Sequence, residues 1–183
     1  TMRLSRPPQE LVVLVLGVPD MASIMHVLRA YQQSMELSAF EFFSELALQK
    51  VIAHQDLQRP FETPADFYAL LEFERRDEKT LEQAMSLFED CVEQGWVLDG
   101  VVSQSIAQAR SLWRLREEHS EAQKRAGASV KNDVSVPVSK VPDLIRRATE
   151  VCERLVPGIR CVPFGHLGDG NIHVNLVQPE RAD

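Results

Sequence analysis

Six polar side chains in the second half of the sequence have the types and spacing that chemistry needs. His166 lies within a glycine-rich stretch, Gly165-His-Leu-Gly-Asp-Gly-Asn171, His173 follows it, and Asn175 comes two places after the second histidine. Imidazoles are the commonest protein ligands for Zn²⁺ and similar metals, and two of them across a hairpin supply two positions of a site that needs three or four. The same pair can instead serve the turn itself by hydrogen bonding, and spacing alone leaves metal or catalytic use and this bland use both open. Asp169 reads as a turn former, and the Asp-x-Asp-x-Asp-Gly calcium pattern is missing.

The other three residues are Arg116, Ser120 and Lys131. Arg116 and Ser120 stand at i and i+4, which puts them on one face near the end of a helix. Lys131 comes off the following strand on the side that also carries Asp133. A guanidinium, a hydroxyl and an ammonium converging on one spot make a carboxylate-binding pocket with the arginine as bidentate clamp. The bland alternative is that Arg114, Arg116, Lys124 and Arg125 solvate the helix and complement its dipole. Nucleophilic catalysis has little support: there is no Gly-x-Ser-x-Gly elbow, and Cys152 and Cys161 fall on an apolar helical stripe and an apolar strand. His26 falls off its helix stripe and reads as a surface residue.

The elements that must position these groups are legible as periodicities. Leu11 to Leu16 is a continuous apolar run closed by Gly17, as in a strand buried on both faces. Asp20 caps a helix to about Gln33 with Met21, Ile24, Met25, Leu28 and Tyr31 inward. Leu37 to Phe43 is a second strand, and Ser44 with Ala47 opens a helix to about His54. Gln55 to Pro64 is a loop, and Asp66 to Glu74 a third strand. Asp77 with Thr80 opens a helix that Gly95 ends, and Trp96 to Ser103 is a fourth strand. Ser103 or Ser105 caps a long helix through Arg116 that runs on until the segment holding Gly127. Val130 to Val138 alternates as a strand, Pro137 and Ser139 introduce a last helix that Pro157-Gly158 stops, and Ile159 to Phe164 enters the histidine hairpin. In that hairpin Gly165, Gly168 and Gly170 permit φ > 0 and close approach. Ile172, Val174 and Leu176 alternate with His173, Asn175 and Val177. The Gly-x-x-Gly-x-Gly order is the reverse of the dinucleotide fingerprint and precedes a strand, which excludes a Rossmann turn. About seven strands and five helices result. Alternating hydrophobicity in several strands favours an α+β fold, a mainly antiparallel sheet with helices on one face, over a parallel α/β sheet.

Composition narrows the function classes. The 183 residues suit a single domain, and 44% hydrophobic with 26% charged residues is the make-up of a globular chain with a sizeable core. A net charge of −7 argues against a general nucleic-acid or anionic-membrane binder. Three cysteines with no Cys-x-x-Cys pair suit a reducing, cytoplasmic setting. No apolar run approaches the ~18 residues of a membrane span, and no signal-peptide pattern is visible. A chain that opens on Thr1 and stops just past a strand is expected to be a piece of something longer.

The stretch Pro163-Phe-Gly-His-Leu-Gly-Asp-Gly-Asn-Ile-His-Val-Asn175 resembles the signature of the FAD-linked oxidases that act on D-2-hydroxy acids. That family includes the D-2-hydroxyglutarate dehydrogenase, D-lactate dehydrogenase and glycolate oxidase FAD-subunit types. Leu112-Trp-Arg-Leu-Arg-Glu-Glu118 resembles its Leu-Trp-x-Leu-Arg-Glu segment, Lys131-Asn-Asp-Val-Ser-Val-Pro137 its Lys-x-Asp-x-Ser-x-Pro strand, and Leu37-Ser-Ala-Phe-Glu-Phe42 matches as well. The resemblance implies an antiparallel α+β cap of ferredoxin-like type that lies over the flavin and binds substrate.

It also implies roles for the six residues. His166 and His173 would bind a divalent metal, zinc in the D-2-hydroxyglutarate type, with Asn175 beside them; Arg116 and Lys131 would hold the substrate carboxylate. Ser120 stands where the D-2-hydroxyglutarate type has a threonine, and keeps the hydroxyl. The implied partners are a small D-2-hydroxy acid and the flavin-binding domain of the same parent chain, with a mitochondrial or peripheral-membrane location in some members. Two family features are absent from these 183 residues: an N-terminal FAD-binding domain and a Glu-His-Gly segment after the signature, which carries a further metal ligand and a histidine at the reacting carbon. The chain is therefore expected to be a substrate- and metal-binding cap without dehydrogenase activity of its own. The rival reading is a stand-alone metal- or ligand-binding module with no redox role.

Overall fold

The run Leu11–Val18 forms strand β1, and its side chains divide between two separate cores. Val12, Leu14, Leu16 and Val18 face helices α1 (Met21–Ser34), α3 (Glu78–Glu93) and α6 (Val141–Leu155), whereas Val13 and Val15 face α2 (Glu45–His54) and α4 (Ile106–Glu117). A strand pleats its side chains alternately to the two faces, so a run apolar at every position must be covered on both. The computed structural model, which describes residues 10–125 and 129–178, shows this sandwich of helices around one sheet. The expectation of helices on one face is corrected by β1 itself, whose unbroken apolar run already needed two covers.

The sheet is antiparallel throughout and runs β4 (Asp99–Val102), β1, β3 (Phe67–Glu74), β2 (Ala39–Ser44), β7 (Arg160–His166), β8 (Asn171–Val177). At its far edge β5 (Ser129–Val130) and β6 (Asp133–Ser135) both pair with β8. Eight strands and six α-helices are described, the sixth helix being the short α5 (His119–Arg125). The expected α+β class holds.

Helix starts follow local chemistry. Asp20 accepts from Ser23 N at 2.7 Å, Ser44 from Ala47 N at 3.3 Å, Asp77 from Thr80 N at 2.8 Å and Ser105 from Gln108 N at 3.2 Å. Each satisfies an amide that the first helical turn leaves without a partner. Ser103 has another use: its hydroxyl accepts from Val13 N at 3.0 Å.

Three boundaries depart from expectation. The long helix stops at Glu117, where Glu118 N closes on Arg114 O, and α5 restarts at His119; Gly127 lies outside the described residues. The fourth strand is only Asp99–Val102, and Trp96 leaves the sheet to stack on the exposed His26 ring at 4.6 Å. Val130 to Val138 splits into β5 and β6, yet Ser129↔Val177 and Asp133↔His173 keep one register across the gap.

Candidate active-site half at the hairpin edge

Cross-strand register assembles the site. β7 and β8 pair through Phe164↔His173, Gly165↔Ile172 and His166↔Asn171, which sets Phe164, His166, His173 and Asn175 on the face covered by α2 and α4. A single 3-10 turn over Leu167–Asp169 joins the two strands. Gly170 closes it at φ 71°, and a Cβ there would stand 2.1 Å from the Val136 carbonyl oxygen. Gly165 is likewise obligatory at φ 148°, with Asn171 O 2.7 Å from where a Cβ would stand. Gly168 is the exception to the expected glycine geometry: its φ is not positive, and a methyl added there would lie 3.6 Å from its nearest neighbour.

On the other flank β2 pairs Phe42↔Gly165 and Phe43↔Phe164. One step further in that register Glu41 stands across from His166. Glu41 is only 4% exposed. Its Oε1 accepts from His166 Nδ1 at 2.6 Å, and its Oε2 accepts from Arg116 Nε at 2.8 Å. Arg116, buried in the last turn of α4, also lays its guanidinium over the Phe164 ring, 5.0 Å from the centroid. Burial pulls the Arg116 pKa below its ordinary value, with the charge and hydrogen bond of Glu41 opposing. The Phe164 ring touches His173 as well, at 4.8 Å between centroids, and His173 Nδ1 bonds Asp133, its register partner on β6. The two imidazoles lie 5.9 Å apart, edge to face at 64°.

The remaining predicted residues fall around this centre in different ways. Continuing the β8 register across the gap puts Lys131 opposite Asn175. Lys131 Nζ donates to the Ser120 carbonyl at 3.3 Å. Ser120 is exposed and lies beyond the break at Glu118, whereas Arg116 is buried, so the two do not share one helix face as the i, i+4 spacing predicts. Asn175 is buried and structural at least in part. Its Oδ1 accepts from Asn132 N at 3.3 Å, and Asn132 Nδ2 donates to Val174 O at 3.0 Å. These amides stitch the interruption between β5 and β6. A groove of about 1070 Å³ is lined by residues outside this cluster, among them Gln32, Leu37, Glu74, Arg76 and Thr80, and its lining holds no imidazole.

The family model described as FAD linked oxidases, C-terminal domain, matches residues 7–183. The chain belongs to that family.

Among curated relatives, this FAD-linked oxidase domain is 51% identical over its whole length to a D-2-hydroxyglutarate dehydrogenase of Stutzerimonas stutzeri (strain A1501), covering 39% of that protein. It is 43% identical to one of Xanthomonas citri pv. viticola, covering 100% of this chain and 38% of that protein. Over 80% of the chain it is 37% identical to the D-2-hydroxyglutarate dehydrogenase, mitochondrial, of Arabidopsis thaliana, covering 26% of that protein. The chain thus spans about two fifths, or less, of these relatives. Among solved structures, an alkyldihydroxyacetonephosphate synthase shares the fold at TM-score 0.57 and 12% identity, covering 95% of this chain and 37% of the other. The 4-ethylphenol oxidase of Gulosibacter chungangensis does so at TM-score 0.55 and 11% identity, covering 96% and 40%. No helix among the described residues is long and apolar enough to cross a membrane.

Two residues of this FAD-linked oxidase domain escaped the sequence reading. Glu41 is one, although it lies within a stretch that carries the family resemblance; the signal was a carboxylate sharing strand parity with the inward Phe43. The other is His119, 1% exposed, with its ring between Phe43 at 5.2 Å and Phe164 at 4.9 Å. Its signal was the helical spacing Leu112, Leu115 or Arg116, His119. Neither ring nitrogen of His119 has a hydrogen-bond partner of good geometry. Burial first, and then the Arg116 charge, push its pKa down to about 3, offset only in part by the Ala47 backbone. His119 is a neutral ring in the core of the site.

The fit to a metal is partial. Both His166 and His173 are oriented by a carboxylate on Nδ1, the arrangement found behind metal-ligating imidazoles. Among the described residues, however, no group of three or more His, Cys, Asp and Glu side chains is placed to hold an ion. The two imidazoles alone would supply only two of the donors that such a site needs.

Proposed function

We propose that this chain is the substrate-facing cap of an FAD-dependent dehydrogenase that oxidises a D-2-hydroxy acid to the 2-oxo acid, with D-2-hydroxyglutarate the first candidate. The observation that carries this reading is that Arg116 and His166 share the Glu41 carboxylate, with His173 5.9 Å from His166 and Lys131 tethered to the Ser120 carbonyl at the exposed rim. Family membership and the names of the relatives support it. The share of those relatives that the chain covers leaves room for a flavin-binding domain elsewhere in the parent.

Bound flavin would supply the hydride acceptor, and a divalent cation, zinc in this reading, the Lewis acidity that polarises the substrate. The chain's own residues do the rest. Among the described residues Arg116 donates only through Nε, so its terminal nitrogens are the fork for a carboxylate. Lys131 adds a second cation at the exposed rim, and a dicarboxylate needs more positive charge than lactate does. Ser120 and Asn175 border that end. His166 and His173 would hold the cation, with the missing donors coming from outside these 183 residues. No residue here is assigned to flavin.

The test is a panel of D-2-hydroxy acids with a dye acceptor, run on the parent protein and on the 183-residue chain. The parent is expected to turn over D-2-hydroxyglutarate, and Lys131→Met to raise KM for the diacid more than for D-lactate. A parent inactive on every acid overturns the dehydrogenase reading. Turnover by the 183-residue chain without added flavoprotein overturns the cap reading. Elemental analysis tests the metal: zinc should be lost when His166→Ala and His173→Ala are combined, and unchanged stoichiometry sinks that role.

A further inference from the structure

One carboxylate serves both halves of the site, and its chemistry fixes more than position. An ionised carboxylate only accepts hydrogen bonds, and an arginine only donates. Glu41 gives one oxygen to Arg116 Nε at 2.8 Å and the other to His166 Nδ1 at 2.6 Å, inside a cluster where its own side chain is 5% exposed. The imidazole therefore meets it with Nδ1 carrying the hydrogen, and in the neutral ring the lone pair then sits on Nε2. The guanidinium is held on its Nε by Glu41 and on its face by Phe164, and its terminal nitrogens make no hydrogen bond among the described residues.

We infer that Glu41 is a positioning residue that locks His166 as the Nδ1–H tautomer while orienting Arg116, so that one buried side chain sets the acceptor nitrogen and the carboxylate clamp together. The purpose given to that nitrogen rests on the function proposed above; the tautomer itself does not.

Glu41→Gln makes the inference testable, since the amide has one accepting oxygen and a donating NH₂. Arg116 cannot give up its hydrogen, so it claims the oxygen and turns the NH₂ toward His166 Nδ1. That nitrogen must then accept, and the ring hydrogen moves to Nε2. Long-range ¹⁵N–¹H spectra of the ¹⁵N-labelled 183-residue chain at about pH 8, above the ordinary imidazole pKa of ~6.5, read the tautomer directly. Wild type is expected to show His166 as Nδ1–H and Glu41→Gln to show it as Nε2–H. His173, which is held by Asp133 instead, should be unchanged in both.

A wild-type spectrum with His166 as Nε2–H overturns the inference even if the variant does not fold. So does a folded variant whose His166 keeps the wild-type tautomer, or one in which His173 switches equally. Zinc titration of the parent separates the two ideas. A loss of about ten- to a hundredfold in affinity on Glu41→Gln is the expected size for a group behind a ligand. The tautomer switch in a parent that takes up no zinc leaves Glu41's role standing and removes the metal.

Discussion

The two halves of the sheet are held by different means. On one side β1 and β3 pair over eight residues each, and their side chains are apolar or aromatic on both faces except for Glu72 and Glu74 of β3. On the other, β7 and β8 carry an edge of two short pieces, β5 and β6, and bury polar groups. Six polar or charged residues are buried among those described. Ser23 and Ser44 sit at helix starts, whereas Glu41, Arg116, His119 and Asn175 all gather around the hairpin. The lesson is that the frame is stabilised by removing apolar area from water, but the hairpin half also buries Glu41, Arg116 and Asn175, which are tolerated there only while each keeps its specific partner.

The largest test of that contrast sets Arg116→Met against Phe73→Ala. Removing Arg116 leaves the Glu41 carboxylate buried without its cation, which should cost about 3–5 kcal/mol in urea unfolding. Phe73→Ala, at a fully buried frame position, should cost about the same through cavity and transfer terms. The rescue differs: adding Glu41→Gln to Arg116→Met is expected to recover much of the loss. An uncorrected double variant would mean that Arg116 acts through packing alone.

Glycine substitutions give the next effect. Gly170→Ala forces a side chain into the left-handed region and against Val136 O, so a loss of about 2 kcal/mol or more is expected. Gly168→Ala should stay within ~0.5 kcal/mol, because its methyl meets nothing closer than 3.6 Å. Equal losses would break the distinction between the two.

His119 ties the hairpin half to pH. Its imidazole titrates near ~6.5 in the unfolded chain and at about 3 in the folded one. Between those values the unfolded chain holds a proton that the folded chain lacks. Stability is therefore constant above ~6.5 from this source and falls as the pH drops below it, by up to about 1.4 kcal/mol per unit. In His119→Leu that acid-side slope should flatten, while the slope from carboxylates elsewhere remains; an unchanged profile in urea melts between about pH 6.5 and 4.5 would refute the assignment. A modest effect belongs to the frame: Ser44→Ala removes the cap of α2 and should cost about 1 kcal/mol without changing the pH profile.

The same division explains what the sequence disclosed. Apolar runs and caps announced β1, α1, α2 and α3 to within about two residues, because the Leu11 to Leu16 run, Asp20, Ser44 and Asp77 act through neighbours in sequence, although β1 continues through Gly17 to Val18. Register could not be read that way. That Glu41 meets His166, or that Lys131 stands opposite Asn175, depends on strand pairings between residues far apart in the chain. The histidine pair and Arg116 were visible as residue types, but their shared carboxylate was not. Helix continuity past Glu117 failed for a related reason: His119 enters the aromatic cluster of Phe43 and Phe164, and the chain restarts its helix there.

The split edge strand has a consequence for neighbours of the molecule. A sheet rim normally offers a row of unpaired amides and carbonyls on which another chain can template a strand. Here that rim is a two-residue piece and a three-residue piece, and Lys131 and Asp133 stand exposed at and beside the gap. Side-chain amides from Asn132 and Asn175 occupy backbone groups at the interruption. The edge beside the histidines is thereby a poor template for fibrils or for pairing with another sheet.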